Sequence, residues 1–110
     1  MNPITPDDVL DQIRQTRFDL LRGPDIVHEA ELAADRAQEA YQTAFDKALM
    51  TAEGTIPQRE AAARAASAAE HDAAFVAKAA FNRGKSKLRT LEAALVSLQA
   101  ELKHLREEGA

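Results

Sequence analysis

Residues 52–58 read AEGTIPQ, and this stretch predicts a tight turn between two helices. Gly54 can adopt the left-handed backbone conformation that ends a helix. Thr55 and Gln58 have the spacing of a capping box, which satisfies backbone N–H groups at the start of the next helix. Pro57 falls in the first turn of that helix, where its missing N–H costs nothing. We therefore expect a turn over residues 53–56.

On the N-terminal side of this turn, the sequence predicts two helices. The first covers about residues 6–22, begins at the N-cap Thr5, and ends because Gly23-Pro24 follows. The second covers about residues 25–52, and its apolar residues recur in alternating steps of three and four, as in a coiled coil. The apolar residues of the first helix are Val9, Leu10, Ile13, Leu20 and Leu21, and the stripe of the second is Val27, Ala30, Ala34, Ala37, Tyr41, Ala44 and Ala48.

On the C-terminal side of the turn, the sequence predicts one helix over about residues 57–107. Its first half carries a stripe of small residues and its second half a stripe of leucines, and the change falls near Gly84. The small stripe is Ala62, Ala66, Ala69, Ala73, Val76 and Ala80, and the leucine stripe is Leu88, Leu91, Leu95, Leu98, Leu102 and Leu105.

Folding the chain back at Gly54 places these stripes opposite one another. Residues whose numbers sum to about 108–110 become neighbours, so that Tyr41 meets Ala69 and Leu95 meets Ile13. The predicted fold class is all-α. The predicted architecture is an elongated antiparallel coiled-coil helical hairpin, with a short N-terminal helix packed on the C-terminal leucine stripe. Residues 1–110 would form a single helical domain, and a compact three-helix arrangement is the alternative.

Composition argues against several classes of protein. The 110 residues include 24 alanines, no Cys and no Trp. Without Cys there is no disulfide scaffold, thiolate metal site or Cys nucleophile. The chain has no run of about 18 apolar residues and no charged-then-apolar N-terminus, so we expect neither a membrane span nor a signal peptide.

No motif in the chain points to catalysis or to a cofactor. Glu101 and His104 have the Glu-x-x-His spacing of di-iron bundles, but those sites need a second such motif and two further Glu. The four glycines are scattered and form no phosphate loop. We therefore expect no enzyme activity, no catalytic residue, no metal, no cofactor and no small-molecule substrate.

Charge is unevenly distributed along the chain. Residues 1–55 hold 11 acids and 5 bases, residues 56–110 hold 7 acids and 9 bases, and no acid lies between Asp72 and Glu92. The bases near Gly23 and Gly84 form a predicted basic zone. One interpretation is a solvated face whose bases pair with Asp19, Asp25 and Glu92, and the other is a contact with phosphates or with an acidic partner. The zone comprises Arg14, Arg17, Arg22, Lys78, Arg83, Lys85, Lys87 and Arg89.

A second set of large apolar residues lies off or beside the main stripes. These residues either widen the contact between the helices or form a face that binds another protein or a second copy of the chain. We expect self-association into a homo-oligomer. The candidate face comprises Phe18, Leu32, Phe45, Leu49, Phe75 and Phe81.

The turn and its flanks resemble a group of small helical-hairpin proteins coded by tailed phages and prophages. The shared features are Lys47-Ala48-Leu49, the turn Ala52-Glu53-Gly54-Thr55, the helix start Arg59-Glu60-Ala61-Ala62-Ala63, and the later Leu88-Arg89-x-Leu91. The resemblance covers about residues 30–105 and departs at Gly23-Pro24. It implies a phage early-region protein in the cytoplasm of the bacterial host cell, found near recombination and replication genes, and brings no activity with it.

These observations predict a non-enzymatic interaction protein, an adaptor or accessory to phage recombination or replication machinery. Two alternatives stay open. One is a direct nucleic-acid-binding protein that uses the basic zone. The other is a structural or secreted hairpin of the WXG type, although the chain has no Trp and its one Tyr precedes the turn.

Overall fold

The computed structural model describes residues 4–109, and this part of the chain forms three helices. They are α1 (Pro6–Thr51), α2 (Ile56–Ala66) and α3 (Ala68–Gly109). The described range contains no strand. The predicted all-α class is therefore confirmed.

The turn between α1 and α2 is built as its sequence predicts. Gly54 has φ of 108°, in the left-handed region. The Gln58 backbone N–H donates to Thr55 Oγ1 at 3.4 Å, and the Thr55 N–H donates to Gln58 Oε1 at 3.0 Å. This capping box satisfies two backbone donors at the start of α2, with Pro57 in its first turn.

The predicted break at Gly23-Pro24 is wrong, because α1 continues through both residues. Pro24 lacks the N–H that would donate to the carbonyl four residues earlier, which destabilises a helix. Tertiary packing offsets this cost. A Cβ atom built on Gly23 would lie 2.5 Å from Leu88 Cδ1, so the leucine lies directly against the Gly23 backbone.

The single helix predicted over residues 57–107 is divided in two at Ser67. Ser67 has φ of −106° and ψ of 13°, is fully buried, and donates its Oγ hydrogen bond to the Ala63 carbonyl at 2.7 Å. A serine that bonds back to the carbonyl four residues earlier locally bends a helix. Serine in an alanine-rich stretch is a weak signal, so the sequence pattern missed this interruption.

The predicted stripe from Val27 to Ala48 on α1 is correct, since all seven of its residues are buried or half-buried. Its steps of three and four continue towards the N-terminus through Gly23, Leu20, Thr16, Ile13 and Val9, all of which are buried or half-buried. We call this set the α1 seam. The pattern therefore passes through Gly23-Pro24 without a change of register.

The predicted stripe from Ala62 to Ala80 is wrong, because all six of its residues are exposed. The inner residues of α2 and α3 form a row that is shifted by one residue from the predicted stripe. The steps of three and four in this row lead without interruption into Leu88. We call the buried and half-buried set the α2/α3 seam. It comprises Ala63, Ser67, Glu70, Ala74, Ala77, Phe81, Gly84, Leu88, Leu91, Leu95, Leu98, Leu102 and Leu105.

The chain divides into two units, to which both long helices contribute. Unit 1 comprises Met1–Ile26 and Gly84–Ala110, and unit 2 comprises Val27–Arg83. The core of unit 1 is a cluster of Val9, Ile13 and Leu102, with four half-buried leucines packed on it: Leu10, Leu95, Leu98 and Leu105. Val9 clusters with Leu102, whereas Gly23, farther along α1, contacts Leu88, earlier in α3, so the two segments of unit 1 run in opposite directions. The cluster brings side chains of the N-terminal segment together with residues of the leucine stripe.

Unit 2 is held by smaller contacts. The Tyr41 ring lies edge-on to the His71 ring at 5.1 Å between centroids, and Arg59 donates from Nη2 to the Leu49 carbonyl at 3.0 Å. These contacts also join segments that run in opposite directions. Tyr41 was expected to meet Ala69, but its ring contacts His71, two residues farther along the chain, whereas the contact of Leu49 with Arg59 fits the predicted pairing.

Candidate interaction surfaces

The eight residues of the predicted basic zone are divided between the two units. Six belong to unit 1 and two, Lys78 and Arg83, belong to unit 2. Seven of the eight are exposed, whereas Lys85 is half-buried. We call the six bases of unit 1 the basic band: Arg14, Arg17, Arg22, Lys85, Lys87 and Arg89.

The two helix segments that carry the basic band lie side by side. Leu88 packs against Gly23, which places Lys87 and Arg89 at the level of Arg22. This contact accounts for the glycine at position 23. Because Gly23 has no side chain, the Leu88 side chain of α3 can lie against the backbone of the α1 seam. The pairing of α1 and α3 segments near residue 23 was expected from the sequence, although with Leu20 or Leu21 as the partner of Leu88.

One ion pair of the band joins neighbours on the same helix. Arg14 Nη1 lies 3.5 Å from Asp11 Oδ1, and both side chains are largely exposed. Within residues 4–109, Arg17, Lys87 and Arg89 form no ion pair. The expected pairs with Asp19, Asp25 and Glu92 are likewise not formed in this range. The Asp19 carboxylate instead accepts a hydrogen bond from Gln15 Nε2 at 3.1 Å.

An aromatic ring lies within the band. The Arg22 guanidinium carbon is 5.7 Å from the centroid of the Phe18 ring, in cation–π range. Phe18 is 54% exposed, so one side of the ring stays accessible, and its neighbour Leu21 is 79% exposed. Both side chains lie outside the α1 seam.

The six residues of the predicted partner face differ in exposure. Phe18 belongs to unit 1, and the other five belong to unit 2. Phe18, Leu32 and Phe75 are exposed. Phe45, Leu49 and Phe81 are half-buried; Phe45 contacts the Tyr41 ring at 6.3 Å between centroids, and Phe81 is part of the α2/α3 seam. Only half of the predicted set is therefore available as surface.

Several exposed apolar residues were missed as surface residues. Leu21 and Val76 were placed in inner stripes, but Val76 is 65% exposed and lies beside Phe75, which is 71% exposed. The steps of three and four in the leucine stripe can be continued from Leu88 towards the N-terminus of α3. This continuation would have placed Phe75 and Val76 on the outer surface. Further exposed apolar residues are Ile4, Ile26, Met50, Ile56 and Val96.

An open groove lies between helix segments in each unit. That of unit 1 measures about 500 Å³ and is lined by Gln12, Gln15, Thr16, Ala94, Ser97, Leu98 and Glu101. That of unit 2 measures about 200 Å³ and is lined by Tyr41, Arg64, Ala68, His71 and Asp72. Neither groove has the enclosed apolar lining of a typical ligand pocket.

Two of the three histidines, His71 and His104, lie near a carboxylate on their own helix. His71 Nδ1 lies 3.6 Å from Asp72 Oδ1, and His104 Nε2 lies 3.1 Å from Glu108 Oε1. In the described part of the chain, no three His, Asp or Glu side chains are grouped so that they could hold a metal ion.

One carboxylate has a shifted pKa. Asp8 caps the start of α1: the Thr5 backbone N–H donates to Asp8 Oδ2 at 3.0 Å, and the Asp8 N–H donates to Thr5 Oγ1 at 3.2 Å. The hydrogen bond from the Thr5 backbone, followed by that from its side chain, lowers the pKa of the exposed Asp8 carboxyl below its usual value. The predicted N-cap role of Thr5 is thereby confirmed.

Comparison with protein-family models, with curated proteins and with solved structures finds no match. Among residues 4–109, no helix combines the length and apolar character needed to cross a membrane.

Proposed function

We propose that this chain is a non-enzymatic interaction protein, an antiparallel coiled-coil hairpin that acts by presenting the outer surfaces of its helices to a protein partner. The observation that carries the proposal is the exposure of Phe75 and Val76 on α3. Both lie outside the α2/α3 seam, so intramolecular packing does not account for them.

The surroundings of these two residues favour contact with protein. The exposed residues of 61–80 include only three charged side chains, Arg64, Asp72 and Lys78. A solvated helix face ordinarily carries many more charges. Burying an aromatic and a β-branched side chain together stabilises an interface by a few kcal/mol, since each contributes about 1.5–3 kcal/mol when fully buried.

The partner that we propose first is a second copy of the chain. Light scattering coupled to size exclusion, over a range of concentrations, measures the mass. We expect a dimer or larger oligomer, converted to monomer by Phe75→Gln with Val76→Gln. The matched control is Val96→Gln, an equally exposed apolar residue in unit 1, which should leave the mass unchanged. A monomer at every concentration would contradict self-association.

The resemblance to phage hairpin proteins supports a place beside recombination or replication machinery as an adaptor. Capture of partners from phage-infected host cells, with and without nuclease, tests this role. Recombination or replication proteins that survive nuclease and are lost with the Phe75/Val76 double variant would support an adaptor. Capture that the double variant leaves unchanged would contradict the proposed surface.

A further inference from the structure

We infer that the basic band of unit 1 binds single-stranded nucleic acid, with its cationic side chains on the phosphates and Phe18 stacked on a base. The inference is independent of the proposed self-association, which concerns residues of unit 2.

The first argument is local charge. Residues 12–25 and 84–92 together hold six bases and three acids, Asp19, Asp25 and Glu92, although the whole chain has a net charge of −4. The contact between Gly23 and Leu88 brings these two segments together. Their charges therefore act as one cluster.

The second argument is that distant acids do not cancel this cluster. Asp7 and Asp8 precede Arg17 by nine or more residues, which is about 14 Å along a helix, and Glu101, which lies beside Gln12 and Gln15, is close only to the Arg14 end of the band. Charges farther apart than about 8 Å are largely screened at physiological salt. Nearby, Asp11 pairs with Arg14. Because Gly23 lies opposite Leu88, Asp25 is level with Lys87, and Glu92 is level with Asp19, so these acids lie among the six bases and leave a local excess of positive charge.

The third argument is the availability of the cations. Arg17, Lys87 and Arg89 form no ion pair within residues 4–109 and are exposed. The intrahelical pair of Arg14 with Asp11 is an exposed pair of small energetic value. Phosphates can therefore replace it at little cost.

The fourth argument separates nucleic acid from an acidic protein. Phe18 lies beside Arg22 with more than half of its surface exposed. An accessible ring among cations is the arrangement that stacks unpaired bases, at about 1–3 kcal/mol per base, and an acidic peptide has no use for it. Paired bases cannot reach the ring, so a single strand is favoured over a duplex.

The test uses the full chain and a fluorescein-labelled oligo-dT of about 20 nucleotides, followed by anisotropy over a salt series. Three to six phosphate contacts predict a slope of about −2 to −4 for the logarithm of the binding constant against that of salt. Arg17→Gln, Lys87→Gln and Arg89→Gln together should reduce this slope by about 2 and weaken binding at least tenfold at low salt. Phe18→Ala should weaken oligo-dT binding several-fold while leaving the slope unchanged.

The matched control removes three bases outside the band, by Lys47→Gln, Lys103→Gln and Arg106→Gln, and therefore has the same net charge. It should bind as the unmodified chain does, and circular dichroism should show equal helicity in all variants. Unchanged anisotropy at low salt, or equal loss in the control, would overturn the inference. Binding of poly-glutamate as tight as that of oligo-dT, with no effect of Phe18→Ala, would also overturn it and assign the band to an acidic protein.

Discussion

The two units pack by the same spacing but with side chains of different size. In unit 1 the seams meet through Val9, Ile13 and a row of leucines. In unit 2 they meet mainly through alanines, such as Ala34, Ala63 and Ala74, each 9% exposed or less. Leucines bury enough surface to define which residue lies opposite which, whereas alanines bury little and look alike in neighbouring registers. The side chains of unit 2 therefore define its register less strictly than those of unit 1.

Loss of a large seam side chain in unit 1 should have the largest effect on stability. Ile13 is 3% exposed within the apolar cluster, so Ile13→Ala should lower the free energy of unfolding by about 2–4 kcal/mol. Chemical denaturation measures this value. Val96→Ala, at an exposed site of the same unit, should change it by less than about 0.5 kcal/mol. Equal effects at both sites would mean that unit 1 has no specific core.

Enlarging an alanine of unit 2 tests the register directly. Ala74 is 6% exposed, and Ala74→Leu should cost about 1–3 kcal/mol, because the seam has no room for the added atoms. Ala73 is exposed, and Ala73→Leu should change the free energy of unfolding by less than about 0.5 kcal/mol. A larger loss of stability for Ala73→Leu than for Ala74→Leu would contradict this register and would support the predicted one, in which Ala73 is buried.

Pro24 lies where α1 passes from the segment of unit 1 to that of unit 2. Proline inside a helix is about 3 kcal/mol less favourable than alanine, and part of this is offset because proline also restricts the unfolded chain. Pro24→Ala should therefore raise the free energy of unfolding by about 1–2 kcal/mol. Chemical denaturation measures this change. A lower free energy of unfolding in Pro24→Ala would contradict a continuous α1 and would favour a helix that begins at Pro24, since proline is tolerated in the first turn of a helix.

The smallest effect concerns the two helix starts. The start of α1 is capped with the Asp8 carboxylate and that of α2 with the neutral Gln58 amide. Because the pKa of Asp8 is lowered in the folded chain, its stabilisation is full above the ordinary Asp pKa and is lost as pH falls through the lowered value. The Gln58 cap has no such dependence on pH.

Titration of the Asp8 carboxyl carbon by NMR measures this difference. Its pKa should lie below that of an ordinary Asp and rise towards it in Thr5→Ala, while Gln58→Ala should leave it unchanged. An ordinary pKa in the unmodified chain would contradict the hydrogen bonds to Thr5.

The sequence patterns predicted those parts of the molecule that depend on local chemistry or on large side chains. The all-α class, the capping box at Thr55 and the contact of Ile13 with the leucine row follow from such signals. The break at Gly23-Pro24 was a reasonable local prediction, but packing of Leu88 against Gly23 overrides it.

The inner register of residues 62–80 could not be predicted from local signals. Alanines occupy both Ala73 and Ala74, so periodicity in this segment fits two neighbouring stripes equally well. The candidate surfaces depend on this choice, since Val76 is an inner residue in one register and an outer one in the other. The bases of the band, by contrast, were identified from charge alone, and their arrangement required the structure.

Thiol labelling tests the register of unit 2, the central claim, most directly, because the chain has no Cys of its own. Ala73→Cys and Ala74→Cys would each be reacted with a maleimide at low protein concentration, and the two rates compared. We predict that the thiol at position 73 reacts at the rate of an exposed thiol. The thiol at position 74 should react at least about tenfold more slowly. Faster labelling at position 74 would contradict the register, and with it the assignment of Phe75 and Val76 to the outer surface.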